Sequence, residues 1–259
     1  MYYFLKYYPP LFKLRLKILN PSLSGMMKAE NGLFDKVLPS GQLRFVIDGG
    51  ANVGHLTSYF ASRCDKVIAI EPVPQNAEEL RGRFKGNRKI VVLEKILDCE
   101  KGQKELYISD DKDHTVSTVN KEWSEWWEQH PGLEKIQYNE QRLVPTVTLP
   151  ELFEQYGVPD LLKLDIEGNE WRALSLLNHP IRVVSFETHL PDFMDDTMNI
   201  IEHLCGLSNA IVFNASINDE DLVFPAFISS IEFIDWLKTS GIGYAQVFCK
   251  VINEVKYAA

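Results

Sequence analysis

From Arg44 onwards, short apolar runs alternate with stretches whose apolar positions recur at helical spacing. Phe45-Val46-Ile47 runs into Asp48 and a glycine pair. It predicts a buried strand, because a strand covered on both faces is apolar at successive positions. Val53 to Ser62 has helical character. Lys66 to Ile70 predicts a second strand, Pro74 to Phe84 a helix with proline in its first turn, and Lys89 to Leu93 a third strand. Gln103 to Ser109 alternates apolar and polar and reads as an extra strand. Thr148 to Tyr156 predicts a helix opened by Thr148 and Glu151 in capping-box spacing. Strands at 161–164, 181–186, 210–213 and 244–251 follow, with helices at 170–177, 193–205 and 230–238 between them.

Strand–helix alternation of this kind predicts an α/β fold with a mostly parallel sheet and right-handed crossovers. No linker divides the chain, so residues 44–259 read as one domain. Residues 1–43 read as an N-terminal helical extension, with a helix near Asn31 to Leu38 and a loop at Pro39-Ser40-Gly41. In Met1 to Leu19, apolar and aromatic residues are interrupted by Lys6, Lys13, Arg15 and Lys17 and by Pro9 and Pro10. That pattern fits neither a secretory signal nor a span. A helix packed on its own domain is the favoured reading, and contact with a membrane surface is the alternative. Residues 110–142 are polar and irregular, with Asp110, Asp111, Asp113 and the trio Trp123, Trp126 and Trp127. A stretch like this inside a compact domain is usually a lid or binding loop.

Composition narrows the field. Of 259 residues, 45% are apolar and 24% charged, as in soluble globular proteins. A net charge of -9 argues against a nucleic-acid partner, since phosphate-backbone affinity comes from clustered Lys and Arg. Cys64, Cys99, Cys205 and Cys249 are widely spaced. They read as reduced thiols in a cytoplasmic protein rather than as a zinc set. Self-association into a homo-oligomer stays open.

The densest chemical signal is Asp48-Gly49-Gly50-Ala51-Asn52-Val53-Gly54, where a strand hands over to a helix. Glycines there allow a tight turn and close approach of backbone to ligand. Glu71 ends the next strand, where an acidic side chain accepts hydrogen bonds from ribose hydroxyls. Read as G-x-A-x-x-G the loop suits NAD. Read as D-x-G-x-x-x-G it suits S-adenosylmethionine. Asp48 favours the second, because a carboxylate in the turn repels a pyrophosphate and attracts an ammonium group.

Three segments together resemble the FkbM-type methyltransferases: Phe45 to Gly54, then Ala69-Ile70-Glu71-Pro72-Val73-Pro74, then Leu162-Lys163-Leu164-Asp165-Ile166-Glu167-Gly168-Asn169-Glu170. They look like that family's D-x-G-A-N-x-G, E-P-x-P and K-x-D-x-E-G-x-E, and the resemblance spans about residues 44 to 190. It implies a class I, Rossmann-like methyltransferase fold. That fold has a seven-stranded sheet, helices on both faces, and an antiparallel last strand inserted beside the fifth. It also implies S-adenosylmethionine as methyl donor and, commonly, O-methylation of a sugar or natural-product hydroxyl. Carried onto this chain, Asp48 and the backbone of Gly50, Ala51, Asn52 and Gly54 cradle the methionine and ribose part. Glu71 holds the ribose, and Asp98 meets the adenine amine.

Asp165 ends the fourth strand, and Glu187 and His189 end the fifth, so the three are expected to meet beside the transferred methyl. A hydroxyl nucleophile must lose a proton, and histidine is the usual base near neutral pH. His189 is therefore the first candidate base, with Asp165 second and Glu187 beside them. Carboxylates at Asp165, Glu167 and Glu170 also offer oxygen ligands to Mg²⁺. Salt bridges or helix-start capping account for Glu167 and Glu170 equally well, so no metal is assigned. The acceptor is expected to be a small molecule or glycan. The competing readings are an NAD-dependent oxidoreductase and a non-catalytic binding module that keeps the fold.

Overall fold

The computed structural model describes residues 21–38, 43–111, 114–129 and 136–252. Met1 to Leu19, Pro39-Ser40-Gly41, Asp113 and His130 lie outside them. Along the described chain come α1 (Pro21–Val37), β1 (Leu43–Gly49), α2 (His55–Arg63), β2 (Cys64–Ile70), α3 (Pro74–Arg83), β3 (Ile90–Leu93) and β4 (Ile96–Leu97). Next are β5 (Gln103–Ile108), α4 (Lys121–Gln129), β6 (Glu140–Val147), α5 (Leu149–Tyr156), β7 (Leu161–Leu164) and α6 (Glu170–Leu174). The last are β8 (Val183–His189), α7 (Met194–Leu207), β9 (Ile211–Ser216), α8 (Ser230–Thr239) and β10 (Tyr244–Val251).

Seven strands form one sheet in the order β3-β2-β1-β7-β8-β10-β9. The first five run parallel, and β10 is antiparallel to both its neighbours. This is the class I methyltransferase arrangement that the motifs imply. Period-2 alternation sends the strand side chains to two apolar layers. Phe45, Ile47, Ile68 and Leu162 join Leu152, Leu174 and Ile201 in one. Val46, Val67 and Leu161 join Phe34 and Phe60 in the other. The helix of the N-terminal extension belongs to this second layer. Phe34 of α1 meets Phe60 and Phe248 edge-on, at 5.1 and 5.6 Å between ring centroids.

The chain runs from β1 outward to β2 and β3, then returns to β7 on the other side of β1. The β1/β7 seam is thus the switch point, where open α/β sheets bind ligands beyond the carboxyl ends of their strands. The capping box at Thr148 and Glu151 forms as the spacing predicts.

The largest departure lies within 110–142. This stretch carries helix α4 and the start of β6, which pairs with β4 and β5 in a separate three-stranded sheet. Trp123, Trp126 and Trp127 stand at i, i+3 and i+4, which is one face of a helix. Asn120 caps it, its Oδ1 accepting from the backbone N–H of Glu122 at 3.0 Å. In β6, Pro145 removes a ladder donor, which hides the strand from pattern reading. All four cysteines are free thiols. Among the described residues no helix is long and apolar enough to cross a membrane.

Candidate active site

Strand β1 delivers Asp48 and Gly49 to the switch point. The turn beyond is tied to β2, with the N–H groups of Gly50 and Ala51 both donating to Ile70 O at 3.0 Å. Gly50 has φ +72, and a Cβ there would lie 1.6 Å from the carbonyl oxygen of Asp165. Only glycine allows that approach. Gly54, at φ +85, meets Leu80 of α3 and Phe84 just past its end instead, and Ala51 packs in the same apolar cluster. These two shape the turn by packing. Asn52, at φ +47, donates its N–H to Glu71 Oε2 at 2.7 Å, and Val73 N–H donates to Oε1 at 2.9 Å.

A cavity of about 310 Å³ opens beside this turn, and Gly50, Asn52, Glu71, Asp165, Glu167 and Glu187 are among the residues that line it. Asp48 sits beneath, 1% exposed. Thr57 donates to its Oδ2 at 2.6 Å, while Oδ1 has no hydrogen-bond partner among the described residues. Among the described residues the nearest cation to Oδ1 is Lys163 Nζ, at 3.8 Å. Lys163 itself is buried. Its Nζ donates to Gly50 O at 3.1 Å and to Asp165 Oδ2 at 3.2 Å. Burial alone would lower the pKa of this ammonium, but Asp165, Asp48, Glu187 and Glu30 overcome that and raise it. The lysine was not among the sequence candidates, although it opens the third motif.

The site is acid-rich. Burial raises Glu71 and Glu170 to about 7, against the opposing pull of backbone N–H groups. Burial, then Asp165, pushes Glu187 and Glu167 well up. Glu30 arrives from α1, burial raising it to about 7 against Lys163. Its carboxylate lies 3.4 Å from His55 Nε2. Nothing local in the sequence placed Glu30 here. Among the described residues no three acidic, histidine or cysteine side chains converge as a metal-ligand set. Glu170 Oε1 accepts from Ile166 N–H at 2.8 Å, which ties the first residue of α6 back to the turn after β7.

These raised carboxyls have a consequence for stability. Glu30, Glu71 and Glu170 hold protons in the native state that the unfolded chain, at about 4.5, releases. Where the native state binds more protons, stability falls as pH rises. His189, lowered to about 4 by burial, acts in the opposite sense, but only below its unfolded value near 6.5. The melting temperature of the ligand-free protein should therefore fall between about pH 6 and pH 8. A flat or rising profile in a calorimetric pH series would contradict these protonation states.

Glu187 also borders a small recess lined by Trp123, Gly168, His189, Phe193 and Asp196. Here α4 docks on the third motif. Thr118 Oγ1 donates to Glu167 O at 2.6 Å and Asn120 Nδ2 to Gly168 O at 2.9 Å. Gly168 has φ +85, and a Cβ on it would come within 2.9 Å of the Trp123 ring. Trp123 is thus a buried anchor of α4. His189 does not line the main cavity. Its ring packs edge-on against Trp123 at 4.5 Å and Tyr244 at 5.3 Å, and its Nδ1 has no partner among the described residues.

Asp98 departs from expectation. It is fully buried but does not line the cavity. Lys104 Nζ donates to it at 2.6 Å, Arg172 Nη2 at 3.0 Å and Asn169 Nδ2 at 3.2 Å. Burial would raise its pKa, yet the Arg172, Lys104 and Asn169 hydrogen bonds hold it well below the usual carboxylate range. With both oxygens taken, it anchors β4 to α6 rather than reaching a ligand. Its backbone neighbours Ile96 and Leu97 line the cavity in its place.

Among solved structures, the chain is similar to a methyltransferase FkbM from Methylobacillus flagellatus KT. The two share 14% identity over 71% of this chain and 43% of that one, with a TM-score of 0.47. It is also similar to a precorrin-6y C5,15-methyltransferase from Geobacter metallireducens GS-15, at 11% identity, 87% of each chain and a TM-score of 0.42. A third is fibrillarin from Aeropyrum pernix with natively bound S-adenosyl-L-methionine, at 10% identity, 82% of this chain, 68% of that one and a TM-score of 0.39. No curated protein matches the sequence. The model of the methyltransferase FkbM domain matches residues 48–208. That segment is well over half of the chain and holds the glycine turn, Glu71, Lys163, Asp165 and Glu187, so the chain belongs to the FkbM family of S-adenosylmethionine-dependent methyltransferases.

Proposed function

We propose that the protein methylates a hydroxyl of a sugar, polysaccharide or glycosylated metabolite, with Asp165 and Glu187 at the reacting end of the cavity. The bound cofactor supplies an electrophilic methyl on a sulfonium. Two features of the chain fit such a donor. The buried Asp48 Oδ1 has no hydrogen-bond partner among the described residues, and a carboxylate in that state favours a nearby positive charge. The Gly50 turn also leaves open a space that any Cβ would fill. Asp48, Gly50 and Asn52 hold the amino-acid end in this reading, and Glu71 the ribose.

The observation that carries the acceptor reading is the position of Glu187, which borders both the cavity and the aromatic recess. Carboxylates there accept hydrogen bonds from acceptor hydroxyls. The indole N–H of Trp123 and His189 Nδ1, both in the recess, have no partner among the described residues, and a hydroxylated ligand offers them oxygen. Aromatic rings also cover the apolar faces of sugars. The base role moves from His189 to Glu187, because Glu187 lines the cavity and burial raises its carboxyl, which makes the ionised form a stronger base. Neutral His189 orders the recess behind it. Alignment of oxygen and methyl supplies most of the remaining rate.

The test is methyl transfer from labelled cofactor to a panel of glycans, glycosides and amines, read by mass spectrometry. Methyl ethers support the reading, and methylated amines alone overturn it. Asp48→Ala should abolish S-adenosylhomocysteine binding in calorimetry. Glu187→Gln should keep that binding and lose about 100-fold in turnover. His189→Ala should keep binding and lose less.

A further inference from the structure

Tyr244 opens β10 opposite His189 in the antiparallel ladder. Asp219 lies in the loop after β9, and both residues lie beyond the segment that matches the family model. The Tyr244 hydroxyl is 3.1 Å from Glu187 Oε1 and 3.0 Å from Asp219 Oδ1. A phenol carries one hydrogen. It donates to one carboxylate, and its oxygen accepts from the other only if that carboxyl is itself protonated. Two ionised carboxylates would leave one of these short contacts as oxygen facing oxygen with no hydrogen between, which is repulsive in a buried site.

The trio therefore holds one acid proton in two arrangements. In one, Asp219 is protonated and donates to the phenol oxygen while the phenol donates to Glu187. In the other, Glu187 is protonated and the phenol donates to Asp219. Moving both hydrogens one step converts the second into the first, and one proton passes from Glu187 to Asp219. The surroundings favour a shared proton. Glu187 faces Asp165 and Lys163 of the third motif, Glu170 of α6 and Asp219. Asp219 faces Asp165, and Glu30 of α1 faces Asp219. Burial raises both carboxyls.

We infer that Tyr244 and Asp219 form a proton exit from the active site, carrying outward the proton that Glu187 takes from the acceptor. This rests on the hydroxyl-acceptor reading above. As the hydroxyl oxygen gains the methyl, with the former carbon–sulfur electron pair remaining on sulfur, its proton passes to the Glu187 carboxylate. Asp219, half-buried on its loop, then releases its proton to water, and Glu187 gives its new proton to the Tyr244 oxygen while Tyr244 gives its own to the vacated Asp219 carboxylate, which restores the first arrangement. Glu187 touches the reacting hydroxyl in this scheme, whereas Tyr244 and Asp219 act through it.

Two readouts test the relay. In the ligand-free protein, carboxyl-labelled carbon NMR should show Glu187 and Asp219 titrating as an interacting pair. Tyr244→Phe should separate them into independent curves. In turnover, Tyr244→Phe and Asp219→Asn should each lower kcat about tenfold, with KM and S-adenosylhomocysteine affinity unchanged. The solvent deuterium effect should change from a two-proton to a one-proton dependence, and Asp219→Glu should recover most of the rate. Retained S-adenosylhomocysteine binding shows that each variant is folded. Full activity in Tyr244→Phe with unchanged titration curves, while Glu187→Gln is inactive, overturns the relay alone. Full activity in Glu187→Gln overturns the base assignment and the relay with it.

Discussion

Gly50→Ala is expected to abolish cofactor binding and to destabilise the fold by about 3 kcal/mol or more. Two separate costs act on the same methyl group. An L side chain at φ +72 costs roughly 1–2 kcal/mol by itself. The new Cβ would lie 1.6 Å from the carbonyl oxygen of Asp165 and 2.8 Å from its carbonyl carbon. Backbone cannot rotate away as a side chain does, so the turn or the end of β7 must shift. Either shift parts the switch-point residues, since the Asp165 N–H donates to Gly49 O across this seam at 3.2 Å. Gly54→Ala is the comparison. It shares the positive φ, but its Cβ would meet the side chains of Leu80 and Phe84, which can give way in part. Denaturant unfolding with S-adenosylhomocysteine calorimetry separates the two. Gly54→Ala should lose stability and keep measurable binding. Equal binding by Gly50→Ala and wild type would show that the turn does not cradle the cofactor.

The contrast between these two glycines also shows what the sequence makes legible. Strands β1, β2, β7 and β8 could be read from pattern because each is an apolar run covered on both faces. The turn residues could be read because a glycine pair after such a run has few other uses. What stayed hidden depends on partners distant in the chain. Asp98 looked like a ligand contact because its position in the order of strands is right, but Lys104 and the far more distant Arg172 and Asn169 claim its oxygens. His189 is displaced from the cavity by the packing of Trp123, 66 positions earlier in the chain and set in place by a contact with Gly168. Glu30, Asp219 and Tyr244 carry no local motif. They reach the site through α1, a loop and the antiparallel strand. Helix α4 is the exception, because its tryptophan spacing was visible and the polar residues between them masked it.

Lys163→Met should be the most damaging change that leaves every main-chain contact possible. The Lys163 side chain is 4% exposed and, among the described residues, is the cation that the neighbouring Asp48, Asp165, Glu30 and Glu187 share. Removing one partner of a buried charge set costs about 3–5 kcal/mol, because the charges left behind lose their compensation. Methionine fills most of the volume, so the loss is electrostatic rather than a cavity. The pH dependence tests that cause. Lys163 lowers the pKa of Asp48, Glu30 and Glu187, so without the ammonium these three keep their protons to higher pH in the native state than in wild type. The variant then binds still more protons folded than unfolded, and its stability falls more steeply as pH rises. Urea unfolding near about pH 6 and pH 8 should show the deficit widening at the higher value. Adding Asp48→Asn should recover part of it, since the orphaned charge is then gone. A deficit independent of pH and untouched by Asp48→Asn would mean that Lys163 serves only to hold Gly50 O, and that the acid cluster balances itself without a cation.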